Sequence, residues 1–403
     1  MNIIDRFFKY VSFDTQSDED SLTLPSTAKQ LALLDYLQDE LKALGLTVTR
    51  SKCGYVYATL KANTDSKVRL AFLAHVDTSP AVSGASVKPQ IIKYTGGDVL
   101  LNSAEKIYFS EKNFPEIKRY LGQDIIFTDG TTLLGADDKA GVAEIVSAVE
   151  FLLDHPTIPH PEIKLAFTSD EEVGRGTEDF DVKAFGADFA YTIDGGELGE
   201  LNYENFNACS GNVVIKGISV HPGDAYGKMI NAIDVFNEFH NMLPIDSRPN
   251  TTRDHEGFFM VESISGGIEE LTAKYIIRDH DSQKFADKKA YFTKVADKIN
   301  EKYGRTVVVA TVKDSYYNMK NIIEKHYHLV DNAITAFKNC GVEPVILPIR
   351  GGTDGSHLSF AGLPTPNLST GGHNFHGRFE YIPVQSMQKM TEVIVELARI
   401  YSK

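Results

Sequence analysis

Apolar positions along the chain follow two different rhythms. Residues 68 to 79, VRLAFLAHVDTS, are a dense apolar run of the kind that parallel sheets bury on both faces. LTVTR, YVYATLK, EIKLAFT and FAYTI are further strand-like runs, and the last two stop just before acidic residues. Between the strands, STAKQLALLDYLQDELKALG starts after Pro25 at Ser26, keeps helical spacing and stops at Gly45. Residues 137 to 154, DDKAGVAEIVSAVEFLLD, predict another helix, with acids at the amino end where the macrodipole favours them. This alternation predicts an α/β domain: a mixed, mostly parallel sheet flanked by helices.

From about residue 207 the rhythm changes. GNVVIKGISV, GFFMVESISG and LTAKYIIRD alternate as half-exposed antiparallel strands do, with helices expected at about 228 to 242 and 283 to 303. The α/β rhythm returns after about residue 320 and ends in a helix from Val384. The pattern predicts one domain in two parts, residues 1–206 and 320–403, interrupted by an α+β insertion over 207–319.

Composition narrows the classes. A chain of 403 residues, 42% hydrophobic and 24% charged, is an ordinary globular protein with room for a substantial core. A formal charge of −14 argues against nucleic acid as a partner, since no basic stripe could offset the phosphates. The first twenty residues lack a signal-peptide pattern, with Asp5 and Asp14 interrupting them, and no apolar run reaches the length of a membrane span. Cys53, Cys209 and Cys340 are widely spaced and read as buried small residues. A cytoplasmic protein is the simplest expectation.

Chemistry enters at the ends of the strands. His75 and Asp77 are two apart on one strand and point the same way, at the carboxyl end where open α/β sheets place ligands. LLGADDKAG adds Asp137 and Asp138 at a helix start, and FTSDEEVGRG adds Asp170, Glu171 and Glu172 after a strand. YTIDGGE puts Asp194 at another strand end, and GGHNFHGRFE offers His373 and His376 in a Gly-rich loop. Each cluster alone has an ordinary explanation as a cap or a solvated acid. Together on one rim they would repel unless a cation neutralised them. Imidazoles with carboxylates suit a divalent pair such as zinc, with cobalt or manganese as alternatives. Two metals about 4 Å apart need a bridging carboxylate, and a spare carboxylate must take the proton of the activated water. DEE can supply that base, although chemistry alone does not say which Glu ligates and which takes the proton.

The segments AHVDTSP, TDGTTLLGADDKAGVAEI, FTSDEEVGRG, TIDGG, SVHPGDAYGKMINA and LPIRGGTDGSHLSFAGLPTPNL resemble the peptidase T family in order over nearly the whole chain. These are tripeptide aminopeptidases among the two-metal exopeptidases that include carboxypeptidase G. The resemblance implies a zinc-exopeptidase-like fold with an inserted lid and dimerisation domain, a homodimer, and two zinc ions per subunit. It implies that His75 and Asp194 hold one zinc, that Glu172 and His376 hold the other, and that Asp137 bridges them. It makes Glu171 the general base for attack by metal-bound hydroxide, and Asp77 the partner that orients His75. A cis peptide between Asp137 and Asp138 is also implied. His373 stands where an aromatic residue such as Tyr is expected, so His376 is the better match for the ligand. His221, in SVHPGDAYGK, would stabilise the oxyanion in the partner subunit's site. Arg278 and Arg350 are candidates for the substrate's carboxylate or carbonyl oxygens, with structural ion pairs as the plain alternative.

Within the same fold, a dipeptidase or an N-acyl amino acid deacylase is the alternative activity. A non-catalytic protein with a structural metal would need no spare base, and Glu171 argues against it.

Overall fold

Residues 68 to 79 do contain a buried strand. In the computed structural model, which describes residues 1–403, Arg69–His75 is buried from Leu70 onward. It runs parallel to Glu162–Thr168 on one side and Phe189–Gly195 on the other. Asn367–Ser369 continues the parallel centre. Antiparallel Val56–Leu60 and Thr47–Arg50 extend one flank. Glu200–Asn202, antiparallel to its inner neighbour, and Val345–Ile346 extend the other and complete an eight-stranded mixed sheet. Because the three central strands are parallel, their carboxyl ends lie side by side, with His75 in register with Thr168.

The segment Ala136–Asp154 packs on Arg69–His75 and against the helices Val384–Ile400 and Ile3–Val11. It is buried around most of its circumference, through Ala140, Val142, Ala143, Ile145, Val146 and Val149, as an apolar helix without a polar face must be. Regular helix begins only after Asp137 and Asp138, whose backbone is non-helical and whose peptide bond is cis. The helix expected from Ser26 starts at Gln30 instead and runs to Ala43. Ser26 does not cap it, because the Ser26 N–H and hydroxyl both donate to Asp170. Gly45, at φ +85°, takes the left-handed conformation that ends the helix.

Nothing in the apolar pattern marks a separate layer between residues 90 and 127, yet the chain builds one. Gln90–Lys93, Asp124–Phe127 and Tyr381–Pro383 form a three-stranded sheet beside the hairpin Val99–Asn102 and Ile107–Phe109. These strands have four residues or fewer, too short to show a period, and their core is aromatic: Tyr94, Phe109, Tyr120, Phe127 and Tyr381.

The chain divides into two compact units. The first comprises Met1–Tyr203, Asn321–Leu347 and Thr353–Lys403; the second comprises Glu204–Lys320 and Pro348–Gly352. Residues 348–352, which the sequence pattern leaves with the outer domain, lie with the second unit, where the Ile349 N–H donates to the Glu204 carbonyl. The second unit is an antiparallel sheet in the order Phe258–Gly266, Glu270–Asp279, Asn207–Lys216, Val308–Tyr316. The helices Ala232–Met242 and Ser282–Tyr303, capped by Asn231 and Asp281, pack onto it through Phe239, Phe285, Phe292 and Val295. Gly211 lets the Phe292 ring close on the sheet, since a Cβ there would lie 2.8 Å from it. No helix of the protein is long and apolar enough to cross a membrane.

Candidate metal centre

The strand ends at His75, so Asp77 lies two residues beyond it and not on it as the sequence suggests, yet its carboxylate still reaches the imidazole. His75 is 2% exposed. Its Nδ1 lies 3.1 Å from the Asp77 carbonyl oxygen and 3.3 Å from Oδ1 of Asp77. The Asp77 carboxylate also accepts the N–H groups of Glu171 and Glu172, at 3.1 and 3.2 Å. One carboxylate therefore orients the imidazole and the two acids that follow the neighbouring strand. With Nδ1–H directed at Asp77, Nε2 faces Asp137 Oδ1 at 3.0 Å and Asp194 Oδ1 at 3.5 Å; it donates to them when the ring is protonated and offers its lone pair to a cation when it is not.

The other imidazole, His376, comes from the Gly-rich loop near the end of the chain. Its Nε2 lies 2.8 Å from Glu172 Oε2 and 3.1 Å from Asp137 Oδ2. The two oxygens of Asp137 are thus divided between the two histidines. Three sets of donor atoms lie within 4.8 Å of one another: His75 with Asp137 and Glu172, His75 with Glu171 and Asp194, and Asp137 with Asp138 and Asp194. Oε1 of Glu172 and Oδ1 of Asp138 are buried with no hydrogen-bond partner. Buried acceptors of this kind are costly unless something compensates them.

The electrostatics follow from crowding. Burial, with Asp194 nearby, pushes the Glu171 carboxyl well above the usual carboxylate range. Burial raises Glu172 to about 7 and Asp194 to about 6. Burial would raise Asp137 as well, but hydrogen bonds from His376 and His75 hold it low. Hydrogen bonds to Asp137 and Glu172 lift His376 to about 11. His75 is raised although burial opposes it, through its bonds to Asp137 and Asp194. Positive charge is what this cluster demands, and divalent metal fits a donor set of two imidazoles and five clustered carboxylates, two of which carry an orphaned oxygen.

Other residues named from the sequence lie elsewhere. His373 is buried away from these carboxylates: its Nε2 is 2.7 Å from the Tyr120 hydroxyl and its ring stacks on Tyr381. Burial holds its pKa down at about 4. In the second unit, His221 is exposed on a loop and its Nδ1 accepts the Gly223 N–H. Arg350 donates to the carbonyls of Asp254 and Glu256 and to Thr252 Oγ1, and lies over Phe206. Its guanidinium therefore holds a loop together, which is the structural alternative without the ion pair. Arg278 donates from Nη1 to the Arg350 carbonyl, and its Nε is buried without a partner.

Two acids that support the centre were not singled out as such in the sequence. Asp170, at φ +65°, accepts from the N–H and hydroxyl of Ser26 and from Gln30 Nε2, which fixes the residue before Glu171. Glu380 accepts three backbone N–H groups from residues 134, 135 and 137. The one local signal for Glu380 is an acid four residues after His376.

Residues 203–306 match the family model of a peptidase dimerisation domain. The whole chain is 53% identical to peptidase T of Caldanaerobacter subterraneus, covering 99% of that protein. It is 52% identical to peptidase T of Halothermothrix orenii, over 99% of both chains. Among solved structures, aminopeptidase PepT of Bacillus cereus superposes with a TM-score of 0.79 at 23% identity, covering 100% of this chain and 98% of that one. An M20-family metallo-carboxypeptidase from Sulfolobus solfataricus gives 0.67 at 14% identity, with both chains covered in full.

Proposed function

The chain belongs to the peptidase T family and is a peptidase, and from that premise we propose that it is a metal-dependent, two-zinc aminopeptidase releasing the N-terminal residue of tripeptides in the cytoplasm. His75 and Asp194 would hold one ion, His376 and Glu172 the other, and Asp137 would lie between them. Cobalt or manganese could replace zinc in this oxygen and nitrogen donor set. Such a pair supplies Lewis acidity to the scissile carbonyl and lowers the pKa of a shared water. The chain's own residues do the rest. Asp77 keeps the His75 tautomer and holds the backbone of Glu171 and Glu172. Glu171 takes the proton of the attacking water as the carbon–oxygen bond forms, and gives it to the leaving nitrogen as the carbon–nitrogen bond breaks. Arg278 would meet the peptide's carboxylate, and Arg350 supports it through its carbonyl. His221 would serve the partner subunit's site in a homodimer, as an oxyanion donor.

The observation that carries this reading is the division of Asp137 between His75 and His376, with Glu172 against His376 and Glu171 close to His75 and Asp194. Glu171→Gln should retain both metals while kcat falls by roughly 10²-fold or more. Metal analysis together with turnover of free tripeptides, dipeptides and N-acetylated tripeptides tests it. Loss of metal in this variant would exchange the roles of Glu171 and Glu172. Rapid cleavage of the acetylated peptide would replace the aminopeptidase by a deacylase or a carboxypeptidase.

A further inference from the structure

Glu380 lies four residues beyond His376, in the segment that brings this imidazole to the centre, and is 1% exposed. Its Oε2 accepts the N–H groups of Leu134 and Gly135 at 2.7 and 2.8 Å, and its Oε1 accepts the N–H of Asp137 at 3.1 Å. These donors lie at the entry to the segment Ala136–Asp154, where no preceding turn of helix supplies carbonyls to accept them. Gly135 precedes that segment at φ +80° and has no side chain with which to cap it. The acceptor comes instead from 243 residues away.

The backbone of Glu380 is itself fixed. Its N–H donates to the Gly377 carbonyl at 3.3 Å, and the next residue, Tyr381, exchanges two backbone bonds with His373 at 2.9 and 3.1 Å. Residues 373 to 381 therefore form a closed loop with His376 within it and Glu380 at its base. A plain helix cap would need only to satisfy N–H groups. Here the carboxylate ties the backbone of Asp137 to the loop that carries His376, and these are the two side chains that meet at 3.1 Å.

We propose that Glu380 is a positioning residue that fixes the spacing of Asp137 and His376, and so sets the affinity of the metal on the His376 side. This rests on the reading that Asp137, Glu172 and His376 are ligands. Glu380→Gln keeps the size but turns one acceptor oxygen into an NH₂ group facing N–H donors, so at least one of the three bonds is lost. Glu380→Asp keeps both oxygens on a side chain shorter by one methylene.

The test is calorimetric titration with Zn²⁺ of full-length protein stripped by chelator. Wild type, both Glu380 variants and His376→Ala are compared, the last identifying which equivalent belongs to the His376 side. Glu380→Gln should weaken that equivalent by roughly 10- to 100-fold, the range for outer-sphere partners of a metal site, and change the other by less than about threefold. Glu380→Asp should fall between. Unchanged affinities in both variants, with wild type taking up two equivalents, overturn the role of Glu380 and leave the metal centre standing. An equal loss at both equivalents, or variants already unfolded before metal is added, makes Glu380 a structural cap and also overturns it. If wild type takes up no zinc, the metal-centre reading fails first.

Discussion

His75 and His376 approach the same carboxylate from opposite sides and are held in different ways. His75 ends a seven-residue strand between two parallel neighbours, and its side chain is 2% exposed. His376 sits in a loop at φ +63°, with its side chain 48% exposed. The strand fixes His75 through sheet hydrogen bonds and packing on both faces. The loop fixes His376 through a few bonds at its base and the aromatic cluster beneath. In the proposed centre, like ligands on scaffolds of different stiffness should give two metals of different affinity, because a ligand that must be ordered on binding costs conformational entropy.

The largest effect expected from this contrast comes from removing each imidazole in turn. His75→Ala also takes away the nitrogen that faces Asp137 and Asp194, and leaves Asp77 with a cavity in front of it. Neither metal should then survive dialysis, and activity should fall by roughly 10³-fold or more, several kcal/mol of lost electrostatic stabilisation. His376→Ala leaves Asp137 with both His75 and Glu380, so about one equivalent should remain. Metal analysis after dialysis distinguishes the two variants. Equal retention in both would mean that strand and loop hold their ligands equally well.

Much of the His75 side was legible in the sequence because its signals are local. A spacing of two sets Asp77 beside His75 even though the strand stops at His75, and Asp194 follows directly from an apolar run. The acids of the helix start and of DEE stand next to apolar segments of unambiguous type. The His376 side was less legible. It depends on Tyr120 and Glu380, whose bonds to His373 and Asp137 span 253 and 243 residues, and on Tyr381 packed against Tyr120. The aromatic layer they join is made of strands too short to show periodicity. Ser26 misled for a related reason: its hydroxyl suits a helix cap, but a carboxylate 144 residues away takes it. Side-chain bonds to distant backbone or carboxylates leave no pattern in a single sequence, whereas strand alternation does.

A second, smaller effect concerns protons. Hydrogen bonds to carboxylates raise His376 to about 11, and His75 is raised as well, so both imidazoles carry protons near neutrality until a cation takes their place. Glu172, at about 7 through burial, is partly protonated there too. A metal needs neutral imidazole and ionised carboxylate, so loading must release protons and the apparent affinity must rise with pH. Each proton released steepens the dependence by a factor of about ten per pH unit. Titrations between pH 5.5 and 7.5, repeated in buffers of different ionisation enthalpy, should show release of about two protons as both sites fill. His376→Ala should remove about one of them. A pH-independent affinity would mean that the carboxylates do not hold the imidazoles protonated.

The smallest effect separates His373 from its neighbour. It lies three residues before His376, and sequence spacing alone allows either to ligate. Its position argues otherwise: Nε2 meets the Tyr120 hydroxyl at 2.7 Å, the ring stacks on Tyr381 with centroids 4.7 Å apart, and burial keeps it neutral at pH 7. His373→Phe preserves a flat ring against Tyr381 and removes only the bond to Tyr120. That bond is worth about 0.5 to 1.5 kcal/mol, with a further cost if the buried hydroxyl finds no other acceptor. The variant should therefore bind two metals with wild-type stoichiometry, turn over tripeptide within a fewfold of wild type, and melt a few degrees lower. If His373→Phe loses a metal while His376→Ala keeps both, the exposed loop histidine is not the ligand, and the contrast between strand and loop would have to be redrawn with a buried imidazole on each side.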